Sequence, residues 1–160
     1  MEYLDTFFGY PVPQFLQNII LAVCAIAIGL ILKFIILKIF KFFSRYWAAF
    51  QIELIIKYLD GPAGIFIPLL LLNISLSLMT MNKVISAQLN RILEISLTVT
   101  FALILIRTIT VLEQFFYHKY DLNKEDNLKE RKIRTQLQFI RKFVVSLIVL
   151  ITIALVLLSF

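Results

Sequence analysis

Few residues in this chain can do chemistry. Its one histidine, His118, stands in a hydrophilic stretch beside an apolar segment, with no cysteine nearby and only scattered acids. Its one cysteine, Cys24, lies inside an apolar run, where a thiol packs as a small hydrophobe. Leu21-Ala22-Val23-Cys24 weakly matches a lipoprotein cleavage box, but it has no basic flank and carries Val where a small residue is needed. There is no glycine-rich loop to cradle a phosphate and no pair of acids inside an apolar run. These residues predict no metal, no cofactor, no disulfide and no catalysis.

What remains is a set of charges embedded in apolar sequence: Arg91, Glu94, Arg107 and Glu113. Arg107 is the one most in need of an account. An Arg at the bilayer centre costs roughly 2.5–3.5 kcal/mol on insertion scales. It lies ten residues before Tyr117, about 15 Å along a helix. If its helix continues past Thr110 into the cytoplasm, Arg107 snorkels to the inner headgroups. If Tyr117 marks the interface, Arg107 is deep and needs a partner or a gating role. Ser96, Thr100 and Arg107 share a helical face suited to contact with another helix, and Asn73 with Ser77 form a polar pair that can hydrogen-bond across. Glu94 is expected near the outer interface and Glu113 near the inner one.

The elements that hold these charges follow from composition. Of 160 residues, 61% are apolar and 16% charged, with a mean hydropathy of +0.91. Soluble domains hold about 45–50% apolar and about 25% charged residues, and a domain this small cannot bury so large an excess. The fold class expected is all-α, a polytopic membrane protein with four transmembrane helices, because a crossing needs about 20 mostly apolar residues. The spans fall at 14–40, 61–82, 89–117 and 137–160 within one transmembrane unit. Trp47, Phe50, Leu54 and Tyr58 recur at spacings of three and four, which predicts a short interfacial helix over 45–59. Asp60-Gly61-Pro62 is expected to end it, and Pro68 to kink the second span. Residues 118–136 form a hydrophilic linker. Within it Asn127 and Glu130 read as a capping pair for one long helix from about Leu128 to Phe160.

Lys and Arg set the orientation. Lys41, Arg45 and Lys57 lie on the first connection and Lys83 and Arg91 on the second. On and just past the third lie Lys119, Lys124, Lys129, Arg131, Lys132, Arg134, Arg141 and Lys142. This bias places the N-terminus outside and the first and third connections in the cytoplasm. The opening Met1-Glu2-Tyr3-Leu4-Asp5 has no basic segment, unlike a cleaved signal. The net charge of +6 then implies attraction to anionic inner-leaflet lipid and no nucleic-acid partner. Tyr3, Phe7, Phe8 and Tyr10 mark the outer interface, and Phe42, Phe43, Tyr46, Trp47, Phe115, Phe116 and Tyr117 the inner one. Candidate inner-leaflet anchors are Lys41, Arg45, Trp47, Arg107, Arg141 and Lys142. A plain topological role explains the basic run Lys129–Lys142 more simply than recognition of a specific lipid does.

Arg131-Lys132-Ile133-Arg134-Thr135-Gln136-Leu137-Gln138-Phe139-Ile140-Arg141-Lys142 runs straight into the apolar stretch Phe143–Phe160. This resembles the segment before the pore-lining helix in small-conductance mechanosensitive channels, the MscS-like family. The first span, from Asn18 to Lys33, also resembles that family's N-terminal helix, and together the two segments cover about a third of the chain. The resemblance implies a tension-sensing and anchoring region in a bacterial inner membrane, part of a homo-oligomer (a heptamer), that responds to osmotic downshock. It departs from the family in lacking a Gly/Ala-rich pore helix: no Gly follows Gly64, and only Ala87, Ala102 and Ala154 lie beyond it. No cytoplasmic vestibule follows either, so pore-lining positions have no counterpart here. The competing expectations are a non-conducting membrane scaffold or accessory subunit and, disfavoured by the absence of an internal repeat and of deep acids, a transporter fragment.

Overall fold

A computed structural model describes residues 13–44, 49–119 and 128–159, with side chains over 13–42, 53–118 and 132–159. Four helices follow one another: α1 (Gln14–Ser44), α2 (Ala49–Leu76), α3 (Lys83–Lys119) and α4 (Leu128–Leu158). Each contains a stretch long and apolar enough to cross a membrane, namely Gln14–Phe42, Glu53–Leu76, Lys83–His118 and Lys132–Leu158. Hydrocarbon offers no partner for backbone N–H and C=O groups, so such sequence pairs them within its own helix. The expected markers Tyr3, Phe7, Phe8, Tyr10, Arg45, Tyr46, Trp47 and Asn127, and the side chains of Phe43, Phe50 and Glu130, lie outside the described residues.

The second helix corrects the sequence reading. No break occurs at Asp60-Gly61-Pro62: α2 runs unbroken from Ala49 to Leu76 with Pro62 and Pro68 inside it. The expected interfacial helix 45–59 and the expected span 61–82 are therefore one helix, and it stops earlier, at Leu76. A proline removes one backbone donor, a loss that neighbouring helices make tolerable in membrane segments. Here α1 packs directly against the second of these prolines. A Cβ on Gly29 would lie 2.6 Å from Pro68 Cα, so the two helices touch backbone to backbone at that point. One face of the early part keeps the expected amphipathic split, with Leu54 and Tyr58 half-buried and Glu53 and Lys57 exposed.

Residues 77–82 form the turn to α3. Leu78 N–H donates to Ser75 O and Met79 N–H to Leu76 O, tightening the end of α2. Asn82 then caps α3, its Oδ1 accepting from Val84 N–H at 3.3 Å. That cap starts α3 six residues before the expected 89. At the far end α4 matches the expected long helix within two residues, Leu128–Leu158.

Contacts exist between α1 and α2, α2 and α3, and α3 and α4, and between no other pair among the described residues. Asn73–Asn90 and Phe66–Phe101 contacts make α2 and α3 antiparallel, and Glu113–Arg141 with Tyr117–Gln138 does the same for α3 and α4. The helices thus form an open row rather than a closed bundle. Its buried residues are mostly small or polar, such as Ala25, Ala102, Thr100 and Thr110, while Phe15, Phe34, Phe101, Phe139, Leu150 and Leu158 are exposed. Apolar surface of this extent is stable only against lipid or other apolar partners.

Candidate functional site

Most of the hydroxyls inside the spans bond to the preceding turn of their own helix. Ser96 donates to Ile92 O at 2.8 Å, Thr98 to Glu94 O, Thr100 to Ser96 O, Thr108 to Ile104 O and Thr152 to Ile148 O. Such back-bonding to the preceding turn leaves them no proton to donate to another helix. Ser77 likewise donates to Ile74 O, so of the expected polar pair only Asn73 bonds across, its Nδ2 donating to Asn90 Oδ1 at 3.1 Å.

Charges come together at the end of the row opposite the α2–α3 turn. Lys33 Nζ of α1 lies 2.9 Å from Asp60 Oδ1 of α2. That oxygen is shielded and makes no well-angled hydrogen bond, so the ion pair alone compensates it. Gly64 makes room for the lysine: a Cβ there would lie 2.8 Å from Lys33 Nζ. Two helices further on, Glu113 of α3 is 6% exposed. It accepts from Arg141 Nη1 of α4 at 2.8 Å and from Tyr117 Oη at 3.0 Å. A carboxylate this buried is tolerable only with such partners. Beside it a cleft of about 580 Å³ opens between α3 and α4, lined by Ile106, Glu113, Gln138, Arg141, Lys142 and Ser146.

The sequence-predicted anchors are distributed as follows. Lys41 is exposed in the last turn of α1, and Arg45 and Trp47 lie outside the described residues. Arg107 is exposed on α3, with no ion pair to any described residue. The Phe66–Phe101 contact sets the α2–α3 register, and six residues further along each helix that register brings Asp60 level with Arg107 to within about a turn. Lys33, Asp60 and Arg107 therefore share one depth, at the charged end of the row. Arg141 and Lys142 meet in the α3–α4 cleft. Two pairings were missed. Lys33 was visible as a charge ending an apolar run, but Asp60 read as a helix terminator. Glu113 and Arg141 were each assigned to the inner interface without being joined. The available signal was that opposite charges set in apolar helices seek each other.

Four apolar helices in an open row, with ion pairs stitching neighbours together, define an all-α polytopic integral membrane protein. No known protein family, characterised protein or solved structure matches the chain.

Proposed function

We propose that this chain is the tension-responding and anchoring part of a mechanosensitive ion channel, as the resemblance of Arg131–Lys142 and the helix after it implies. In this reading it lies in a bacterial inner membrane with the N-terminus outside. It works within a homo-oligomer and couples to a pore helix outside these 160 residues. The observation that carries the reading is the open row, in which, among the described residues, each helix packs only on its sequence neighbours.

Tension does work in proportion to the in-plane area a conformation gains, so it favours whichever state occupies more membrane. A closed bundle resists such a change because tilting one helix tears a shared core. A row has no shared core, and its helices shear past one another at small cost. The Lys33–Asp60 and Glu113–Arg141 pairs tie α1 to α2 and α3 to α4 at one end, and Asn73–Asn90 ties α2 to α3 at the other, so tilt in α1–α2 is passed through α3 to α4. The exposed cations Lys41, Arg107 and Lys142 hold that end at the headgroups of the anionic leaflet.

The test is stretch-activated current from the full-length gene product in patches of giant liposomes, with Arg141→Gln expected to shift the pressure threshold. Silence up to the lytic tension overturns the reading. It would leave the scaffold reading, which the absence of any buried residue in the apolar window of α4 within Lys132–Leu158 favours.

A further inference from the structure

The end of the row carrying the α2–α3 turn holds a second polar site. Asn73 Nδ2 donates to Asn90 Oδ1 at 3.1 Å, and Asn90 Nδ2 to Glu94 Oε1 at 3.0 Å, a chain from α2 into α3. The turn is held to α1 by buried Asn18, whose Nδ2 donates to Thr80 O at 3.1 Å. Together these fix a concave pocket of about 660 Å³ whose polar lining is Asn73, Ser77, Lys83, Ser86 and Asn90. A second cleft, of about 450 Å³, shares Lys83 and Ala87 with it and reaches Arg91. Lys83, Ala87 and Arg91 follow one another at i, i+4 and i+8, on one face of α3.

The charge pattern is selective. Lys83 and Arg91 are the only basic residues between Lys57 and Arg107, and both line these clefts. Glu94, the only acid between Asp60 and Glu113, is engaged by Asn90. The Lys83 ammonium and the Ser86 hydroxyl find no partner among the described residues. Lys83 is exposed and Ser86 half-buried at this end of the row, and an anion with several acceptor oxygens can accept from both. The first turn of α3, where Asn82 already takes Val84 N–H, adds the positive end of its dipole. Ile74, Leu78, Val84 and Ile85 are exposed around the site, a surface that acyl chains can cover.

We propose that this cleft binds the phosphate of a membrane phospholipid, with Lys83 and Ser86 donating to it, Arg91 adding charge, and the Asn73–Asn90–Glu94 chain holding the walls. The proposal does not rest on the channel reading and holds whichever way the chain is oriented.

The test uses the 160-residue protein in detergent micelles, titrated with dioleoylphosphatidylglycerol, with lipid adducts counted by native mass spectrometry. Lys83→Gln with Ser86→Ala is expected to weaken the tightest binding step about tenfold, the scale of one charge-assisted contact. Lys83→Arg keeps the charge and the donors and is expected to retain binding. Lys38→Gln, at the opposite end of the row, is expected to leave it unchanged. Unchanged binding in the double variant, or equal loss in Lys38→Gln, overturns the proposal. So does equally tight binding of dioleoylglycerol, which lacks the phosphate. Displacement of the lipid by equimolar inorganic phosphate overturns the lipid as source in favour of a free anion. Retention in Lys83→Arg separates lost recognition from lost folding.

Discussion

Glu113 makes the strictest demand on its surroundings, because its carboxylate is buried while Arg141, its partner, stays partly in solvent. Removing the arginine strands a charge. Removing the charge itself leaves an amide that Tyr117 can still bond. Arg141→Gln is therefore expected to destabilise the chain by roughly 1–3 kcal/mol, and Glu113→Gln by less. The double variant should fall short of the sum, as coupled partners do. Reversible unfolding in mixed micelles measures all three, and strict additivity would show that the two groups act independently. The glycines give a second contrast, decided by what each would touch. At Gly29 an added methyl meets the Pro68 backbone at 2.6 Å, which cannot step aside, so Gly29→Ala should cost roughly 1–3 kcal/mol. At Gly64 the obstacle is the tip of Lys33, which swings away at the expense of its ion pair, a smaller loss. At Gly61 nothing lies within 4 Å, and alanine there should stabilise by about 0.4–1 kcal/mol through the unfolded chain. If the same melts rank Gly61→Ala as the most damaging of the three, the packing of α1 on α2 is wrong.

α2 is the element where local sequence misleads. Asp60, Gly61 and Pro62 in succession are strong turn residues in water, and nothing in their neighbourhood announces that Lys33 of α1 will pair with Asp60. The deciding partners, Lys33 and Gly29, lie some thirty residues away, where propensity does not reach. α4 was legible for the opposite reason: its basic start and its charge-free end at Leu128–Leu158 carry the information locally. The candidate site divides the same way. Arg107, Arg141 and Lys142 were visible as cations in apolar context, whereas the burial of Glu113 depends on how α4 lies on α3. Asn82 was a local signal passed over, since an Asn two residues before Val84 is a cap in form as well as position. Asn82→Ala should therefore cost about 1 kcal/mol, and its effect should be concentrated in faster amide exchange over the first turn of α3. Exchange that speeds up evenly along α3 would mean that Asn82 does not act as a cap.

Four antiparallel helices in a row place their ends alternately at two levels, and the side-chain contacts fix which ends belong together. Asn18 of α1 bonds to Thr80 of the α2–α3 turn, so the start of α1 and that turn share a level. Arg141 bonds to Glu113, so the start of α4 lies with the end of α3, and the end of α4 returns to the level of the turn. Between Asn90 and Arg107, α3 rises about 25 Å at 1.5 Å per residue, close to the thickness of a hydrocarbon core. The two polar ends are thus spaced to meet the two headgroup layers. With Cys24 replaced by Ala, single cysteines at Gln14, Leu78 and Ser159 are expected to react with a membrane-impermeant maleimide from one side of sealed vesicles. Cysteines at Lys41 and Lys132 are expected to react only from the other. The basic residues crowd the Lys41 and Lys132 level, so that side should be the one facing the cytoplasm in cells. Labelling of Gln14 and Ser159 from opposite sides would require an odd number of crossings, and one of the four helices would then lie along the membrane rather than through it.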